Sequence, residues 1–401
     1  MADGPSRHQA ITYEVGDHEM SRPTIAIYNL YWSTYGGGEQ VSGALAEHLS
    51  KSYDVTLLGP DRPDVAQTKA RLDVDLSGCD WRRVVDDSEA SVASADFDVF
   101  INGTYRSHTV NRATRGYYYV HFPEPPFETR RRVVSTVART GLALMKAAPR
   151  LPERVEGVRR GLQRRVIDTT WSRSYTDFWS NSTYTASWVR RLWGAESKIL
   201  YPPVRPSVQP GAKGPLIASV GRFFDPSLGH SKKQLDLLHA FTGMRESGDW
   251  RLALVGGADG ASREYALAVR RDAIGYPVDV HLNAPRRIVE ETLAGASIYC
   301  HGRGFGEDAE HHAERFEHFG IAVVEAMAAG AVPVVFAAAG PAEIVRHGVD
   351  GFHWRTLDEL QSLTRQLMND PELRSRMSDY SRQRALDFSL SAFADRLDNL
   401  V

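Results

Sequence analysis

The sequence predicts an α/β chain built from two tandem Rossmann-like domains with parallel sheets. Three observations lead there. Short apolar, β-branched or aromatic runs alternate with helix-like stretches along the chain. The segment YPPVRPSVQPGAKGP (201–215) carries five prolines and two glycines and divides these runs into two sets. Each set also has a glycine-marked turn directly after its first run, ahead of a helix-like stretch.

In order, the first 22 residues are polar, lack the apolar core of a signal peptide and read as a flexible tail. The first domain (23–204) is expected to hold strands at TIAIYNL (24–30), DVTLLG (54–59), DVFING (98–103), GYYYVHF (116–122) and DFWSNS (177–182). The second domain (205–385) is expected to hold strands at LIASVG (216–221), RLALVGG (251–257), VDVHLN (278–283), SIYCHG (297–302) and AVPVVFA (331–337). Residues 386–401 read as a C-terminal helix that could cross back to the first domain. Ligands in such sheets bind beyond the carboxyl ends of the strands, so the default site is the cleft between the two sheets.

Bulk properties narrow the function classes. At 401 residues, two or three domains are expected. The 42% hydrophobic and 24% charged fractions are ordinary for a globular protein, and a net charge of −2 gives no global pull toward nucleic acid or an anionic membrane. Cys79 and Cys300 have no metal-like spacing and read as free thiols in a reducing, cytoplasmic setting, where the sequons at Asn102 and Asn181 carry little meaning. No apolar run approaches the ~18 residues of a membrane-spanning helix.

Three stretches carry candidate chemistry. In YWSTYGGGEQVSG, Gly36, Gly37 and Gly38 precede a helix expected to start near Glu39. Glycines there allow close backbone approach, and a helix N-terminus favours an anion or a polar oxygen. The spacing is not G-x-G-x-x-G, and a plain tight turn is the alternative. In SVGRFFDPSLGHSKKQLDLLHAF, Arg222 follows a strand, and Lys232 and Lys233 precede an amphipathic helix with Leu235, Leu238 and Phe241 on its apolar face. That pair of positions suits a grip on a diphosphate, and solvated surface cations are the alternative. In FEHFGIAVVEAMAAGAVPVV, Glu317 and Glu325 flank a glycine and an apolar helix expected to end near Gly330. Eight residues of helix span roughly 12 Å, about the separation of the two ends of a nucleotide diphosphate sugar. Carboxylates accept well from sugar hydroxyls, and unpaired amides at Phe319, Gly320 and Ile321 suit a phosphate or sugar oxygen. The alternative makes Glu317 a helix-start acid and Glu325 a partly buried salt bridge.

The E-x7-E stretch EHFGIAVVE resembles the donor-site motif of retaining GT-B glycosyltransferases with a glycogen-synthase-like donor domain. The resemblance extends to SVGRFF…HSKKQLDLLHAF, to NSTYTASWVRRLWG…SKILYPPV and to EAMAAGAVPVVFAAAGPAEIVRHGVDGFHW, and so covers most of 24–400. GGGEQVSGALAEHL and YYYVHFPEPP further resemble the branch containing the dolichol-linked-oligosaccharide α-1,2-mannosyltransferases. This likeness implies a GT-B fold and transfer of a hexose, with retention, from a nucleotide diphosphate sugar to a glycan, lipid-linked or other small acceptor. Branch resemblance alone suggests GDP-mannose. It also implies no bound metal and no cofactor beyond the sugar nucleotide. Glu325 would bind the ribose and Glu317 the transferred sugar. Arg222 and Lys232, with the amides of Phe319, Gly320 and Ile321, would neutralise the leaving diphosphate. Gly37 and Gly38 would lie across the cleft, and His121 in YVHFP would lie near the sugar, although a lone histidine at a strand end is more often structural.

Two stretches depart from that pattern. RGFGEDAEHHAERF (303–316) expands a loop that is usually short. Asp308, His311 and His312, with the nearby His318, lack the H-E-x-x-H spacing of a metal site, so the loop reads as a solvated lid. LDVDL (72–76) and FDVF (97–100) mimic a D-x-D motif and read as structural. The basic helical insertion at 130–165 holds ten arginines and one lysine against two glutamates. It suits an anionic membrane surface or an anionic acceptor, or is an ordinary cationic helical face. A dehydrogenase or epimerase reading would need the dinucleotide glycine spacing and an acid ending the second strand, where Asp61 is the sole candidate. A phosphorylase, a hydrolysing relative or an enzyme moving a UDP-sugar onto a secondary metabolite would share the fold. A non-catalytic scaffold fits poorly with Glu317, Glu325, Arg222 and Lys232 all present.

Overall fold

The computed structural model describes residues 22–124, 140–141, 171–205, 211–244 and 248–401. The tail at 1–21 and nearly all of the basic segment 130–165 lie outside the described residues. The first sheet contains β1 Thr24–Tyr28, β2 Asp54–Gly59, β3 Asp80–Arg83, β4 Val99–Asn102, β5 Arg115–Val120, β6 Asp177–Ser180 and β7 Lys198–Ile199, ordered β3-β2-β1-β4-β5-β6-β7. The second contains β8 Gly214–Val220, β9 Arg251–Gly256, β10 Val278–Leu282, β11 Ala296–His301, β12 Val332–Phe336 and β13 Phe352–Trp354, ordered β10-β9-β8-β11-β12-β13. The strand pairs within both sheets are parallel.

Each of the ten apolar runs contains a strand: nine are central strands, whose burial between neighbours reads as near-continuous apolar sequence, and the edge strand β10 is marked by its alternating VDVHL. Three strands had no such signal. β3, β7 and β13 all lie at sheet edges, and β3 (DWRR) is largely exposed, so no apolar run marks it. In both sheets the first strand sits centrally, β1 between β2 and β4 and β8 between β9 and β11. The strand order therefore reverses beside β1 and beside β8, which opens a crevice at their carboxyl ends.

The first core gathers Ile25, Ile27, Leu57, Ile101, Tyr119 and Trp179. It also takes in Phe393 and Leu397 from the helix Leu390–Asp398, far along the chain. His48 Nε2 lies 2.6 Å from Asp398 Oδ1, and Arg115 Nη1 donates to the carbonyl of Val401 at 2.9 Å. The two passages of the chain between the sheets run side by side, with Val204 N donating to Phe388 O at 2.8 Å. The second core is built from Leu238, Phe241, Leu254, Ile298, Val334 and Trp354. In its helix Gln234–Thr242, Leu238 and Phe241 of the expected apolar face are buried, Leu235 packs at its margin, and Leu237 widens it.

Both sequon asparagines are buried and bonded. Asn102 Nδ2 donates to Ser107 and Tyr175, and Asn181 Nδ2 donates to His121 O. Cys79 and Cys300 are free, and burial pushes the Cys300 thiol up to about 12. Among the described residues, no helix is long and apolar enough to cross a membrane.

Candidate functional site

A cleft of about 610 Å³ lies at the carboxyl ends of β1 and β8 and is lined from both halves of the chain. On the first wall, the helix begins at Gly37, two positions before the expected start. Glu39 is the reason. Its Oε2 accepts from Gly36 N at 2.7 Å and from Thr34 Oγ1 at 2.6 Å, making the glutamate half of a capping box from inside the first turn. The usual signature needs Ser, Thr or Asp at the cap, and the cap here is Gly36, so the sequence hid it. Gly37 and Gly38 line the cleft. A Cβ on Gly37 would stand 2.9 Å from Ile321 Cδ1 on the opposite wall, and one on Gly38 would stand 3.4 Å from His121 Cε1. His121 follows β5, and its Nε2 lies 2.9 Å from Gly103 O. Burial pushes its pKa below 6.5. The neutral ring must then carry its proton on Nε2 to donate to that carbonyl, which leaves Nδ1 as an acceptor.

On the second wall, β8 runs into Gly221 and Arg222. Gln234 Nε2 donates to both of their carbonyls, at 3.2 and 3.1 Å, and fixes the turn. Arg222 lines the cleft with its guanidinium carbon 5.6 Å from the Phe224 ring centroid. The two adjacent lysines diverge. Lys233 is left-handed (φ 60) and pairs with Glu307 Oε1 at 2.7 Å, whose other oxygen takes Arg315 at 3.1 Å. Lys232 points into the cleft and donates to Glu317 Oε2.

Glu317 is therefore shared. Its Oε2 also lies 3.1 Å from His301 Nε2, and its Oε1 lies 3.6 Å from Arg303 Nη1. Burial works to raise its pKa, but Lys232, Arg303 and His301 outweigh it and hold the carboxyl well below 4.5. Burial also lowers Lys232 and His301, despite the facing carboxylate. His301 Nδ1 and His318 Nε2, both in cleft-lining rings, are buried without a hydrogen-bond partner.

Gly320 (φ 116) caps the helix Ile321–Ala328 in a conformation only glycine adopts readily. Gly340 N donates to Glu317 O at 2.9 Å and pins the approach to that turn. Phe319, Gly320 and Ile321 line the cleft, and the leading amides of the helix are those without an intrahelical acceptor. Glu325 lies one turn further along. It is 14% exposed and its Oε1 accepts from Arg286 Nη2 at 2.9 Å. That ion pair is the partly buried salt bridge weighed above, and it sits on the cleft wall.

The structure thus brings Gly37, Gly38, His121, Arg222, Lys232, Glu317, Phe319, Gly320, Ile321 and Glu325 into one cleft. It adds Arg286, His301 and Arg303. His301 closes the run SIYCH, and a polar residue at the carboxyl end of a buried parallel strand was an available signal. Arg286 and Arg303 had none, because their partners lie 39 and 14 residues away in sequence.

The expanded loop packs against both halves. Arg303 Nε donates to Arg315 O, and Tyr184 OH of the first half donates to Ala313 O at 3.0 Å. The His318 ring stacks on Phe122 with centroids 4.1 Å apart at 9°. Asp308 and His311 pair in solvent, 55% and 75% exposed. Among the described residues, no group of three or more His, Cys, Asp or Glu could hold a metal ion. Asp73 of LDVDL ends a helix and pairs with Lys69, and Asp98 of FDVF accepts from Thr24 N and Oγ1. A further bridge joins the halves: Glu343 takes Thr183 N and Oγ1 and Tyr201 OH.

Comparisons with known proteins agree with this architecture. Residues 204–384 match the family "Glycosyl transferases group 1". The GDP-Man:Man(3)GlcNAc(2)-PP-Dol alpha-1,2-mannosyltransferase of Dictyostelium discoideum is 29% identical over 238 residues, which is 54% of this chain and 45% of that protein. The chain thus spans under half the length of this curated relative. Among solved structures, Anabaena HepE in complex with UDP superposes with a TM-score of 0.67 at 13% identity, covering 94% of this chain and 99% of that one. A glycosyltransferase from Rickettsia africae gives 0.66 at 10% identity, covering 94% and 97%. WaaG, a glycosyltransferase of lipopolysaccharide biosynthesis, gives 0.59 at 13% identity, covering 94% and 99%. Two parallel sheets, the shared cleft and the structural matches give the chain a GT-B fold, and its residues 204–384 resemble group 1 glycosyl transferases.

Proposed function

We propose that this protein transfers a hexose, with retention of configuration, from a nucleoside diphosphate sugar to a hydroxyl of a glycan, lipid-linked or other small acceptor. One observation supports this above all: Arg222, Lys232, Glu317 and Glu325 converge on one cleft inside the domain that matches group 1 glycosyltransferases. Glu325 serves the ribose and Glu317 the sugar. Arg222, Lys232 and the helix-start amides stabilise the diphosphate as negative charge develops on it. The bond from the anomeric carbon to the phosphate oxygen breaks, the acceptor oxygen bonds on the same face, and its proton passes to the departing phosphate. His121 Nδ1 is an acceptor within reach of the sugar side. Cationic side chains stand where other transferases use an ion, and turnover in EDTA checks that reading.

GDP-mannose is the first donor to test, in view of the mannosyltransferase relative. A UDP-sugar is the second, because HepE was solved with UDP and with UDP-glucose. The basic composition of 130–165 favours an acceptor at an anionic, inner membrane face. A thermal-shift panel of GDP, UDP, ADP, CDP and dTDP, with their sugars, tests the donor. A ligand at 100 times its Kd stabilises by about 2.7 kcal/mol. Product analysis then separates transfer from phosphorolysis or hydrolysis. No stabilisation by any of them overturns the reading.

A further inference from the structure

Glu317 is engaged three times over. Oε2 serves Lys232 and His301, and Oε1 faces Arg303. Oε2, with two donors on it, has little capacity left for sugar hydroxyls, while Oε1 has no hydrogen bond from Arg303 at 3.6 Å. The three partners differ in how firmly they are held. Arg303 is fixed by its own bonds to the carbonyls of Arg315 and Glu314, at 3.2 Å each. His301 belongs to β11, and its carbonyl takes Trp354 Nε1. Lys232 is fixed only at its stem, which lies across Gly221, where a Cβ would stand 2.8 Å from Lys232 Cγ. Its tip is a point charge on a flexible chain, and Glu317 is the only salt-bridge partner described for it among the described residues.

We propose that Lys232 exchanges partners as the donor enters: it leaves Glu317 for the diphosphate, while Arg303 and His301 stay and hold Glu317 ionised and oriented. Oε2 of Glu317 is then freed to join Oε1 in accepting from the sugar once the diphosphate has drawn Lys232 away. Diphosphate recognition and sugar recognition are thereby coupled through one ammonium group. Arg303 and His301 act as positioning residues in this scheme. The scheme rests on the donor reading above, and it adds that Glu317 competes with the nucleotide's phosphates.

Calorimetric titration tests it, with GDP and UDP as probes, on the wild type, Glu317→Gln, Lys232→Ala and the double variant. Glu317→Gln should tighten nucleoside diphosphate binding roughly threefold or more, the scale of coupling expected between contacting charged groups. Its turnover should fall. Lys232→Ala should weaken binding, and in that background Glu317→Gln should change nothing. Unchanged or weaker binding in Glu317→Gln would overturn the exchange, as would a tightening that persists without Lys232. If Glu317→Gln does not fold, Glu317→Asp, shorter by one methylene, is read by the same criteria. A wild type that binds none of the five nucleoside diphosphates of the thermal panel would sink the donor reading itself. Binding without the expected coupling sinks only the exchange.

Discussion

On one wall of the cleft, the turn after β1 offers Gly37 and Gly38, beside a neutral His121 from the end of β5. On the other, the turn after β8 offers Arg222 and Lys232, with Glu317, Arg303, Glu325 and Arg286 around them. The two turns occupy equivalent places in their sheets, each following the central strand beside which the order reverses. Their chemistry differs because the acid of the first turn, Glu39, is consumed by capping its own helix. The first turn therefore contributes room and shape, while the second contributes charge. A doubly built fold can assign binding energy to one half and access to the other, and substitutions should sort accordingly.

The largest effects should fall on the charged wall. Arg222→Ala and Lys232→Ala should each lower kcat by roughly 10²-fold or more, the cost of removing charge stabilisation at a leaving group. Steady-state turnover with the fold intact by circular dichroism is the check. Near-normal rates in both would erase the contrast between the walls.

Glu325→Ala should weaken nucleoside diphosphate and donor binding alike, by roughly 10-fold, through loss of a charged hydrogen-bond acceptor. A role confined to the ion pair with Arg286 predicts lower melting temperature with no ligand-specific change. Titration and melting on the same variant decide between them.

At the glycine turn the effects should be steric and smaller. Gly37→Ala places a methyl 2.9 Å from Ile321 Cδ1, across the cleft, so KM should rise several-fold with little change in melting temperature. Gly38→Ala, at 3.4 Å from the His121 ring, should be milder. Equal losses in both would mean the glycines serve their helix and not the cleft.

The smallest effect is on stability against pH. The folded pKa of Glu317 lies below 4.5, so its contribution is complete above that value and disappears as pH falls through the depressed one. Glu317→Gln does not titrate and leaves Lys232 unpaired. The melting-temperature gap between wild type and variant should thus be widest near neutrality and narrow below pH 4.5. A gap that stays constant would mean Lys232 finds another partner.

Central strands were legible because burial on both faces writes itself as unbroken apolar sequence, as in TIAIY and LIASV. Among edge strands, exposed or very short ones such as Lys198–Ile199 left no such trace, whereas Val278–Leu282 still showed in its alternating apolar residues. The cleft positions were legible where local grammar carries them: a glycine that must be left-handed before a helix, or an arginine directly after a strand. What pairs with what was hidden. Lys232 meets Glu317 across 85 residues and Arg286 meets Glu325 across 39, and neither distance has a local signature. The helix Gln234–Thr242 was legible by its periodicity, with Leu238 and Phe241 facing the core as their spacing predicts.

The helix Leu390–Asp398 gives the molecule an order of assembly. Phe393 and Leu397 complete a core whose other members lie between Ile25 and Leu200. A ribosome makes that first sheet early, then spends nearly 200 residues on the second half before supplying the missing wedge. Through that interval the nascent first sheet has an unsealed apolar seam, and the second half, whose core needs nothing from upstream of Tyr201, is free to finish first. Maturation of the N-terminal half then waits on translation of the C-terminal one, and a chaperone that shields the seam would have its longest opportunity there.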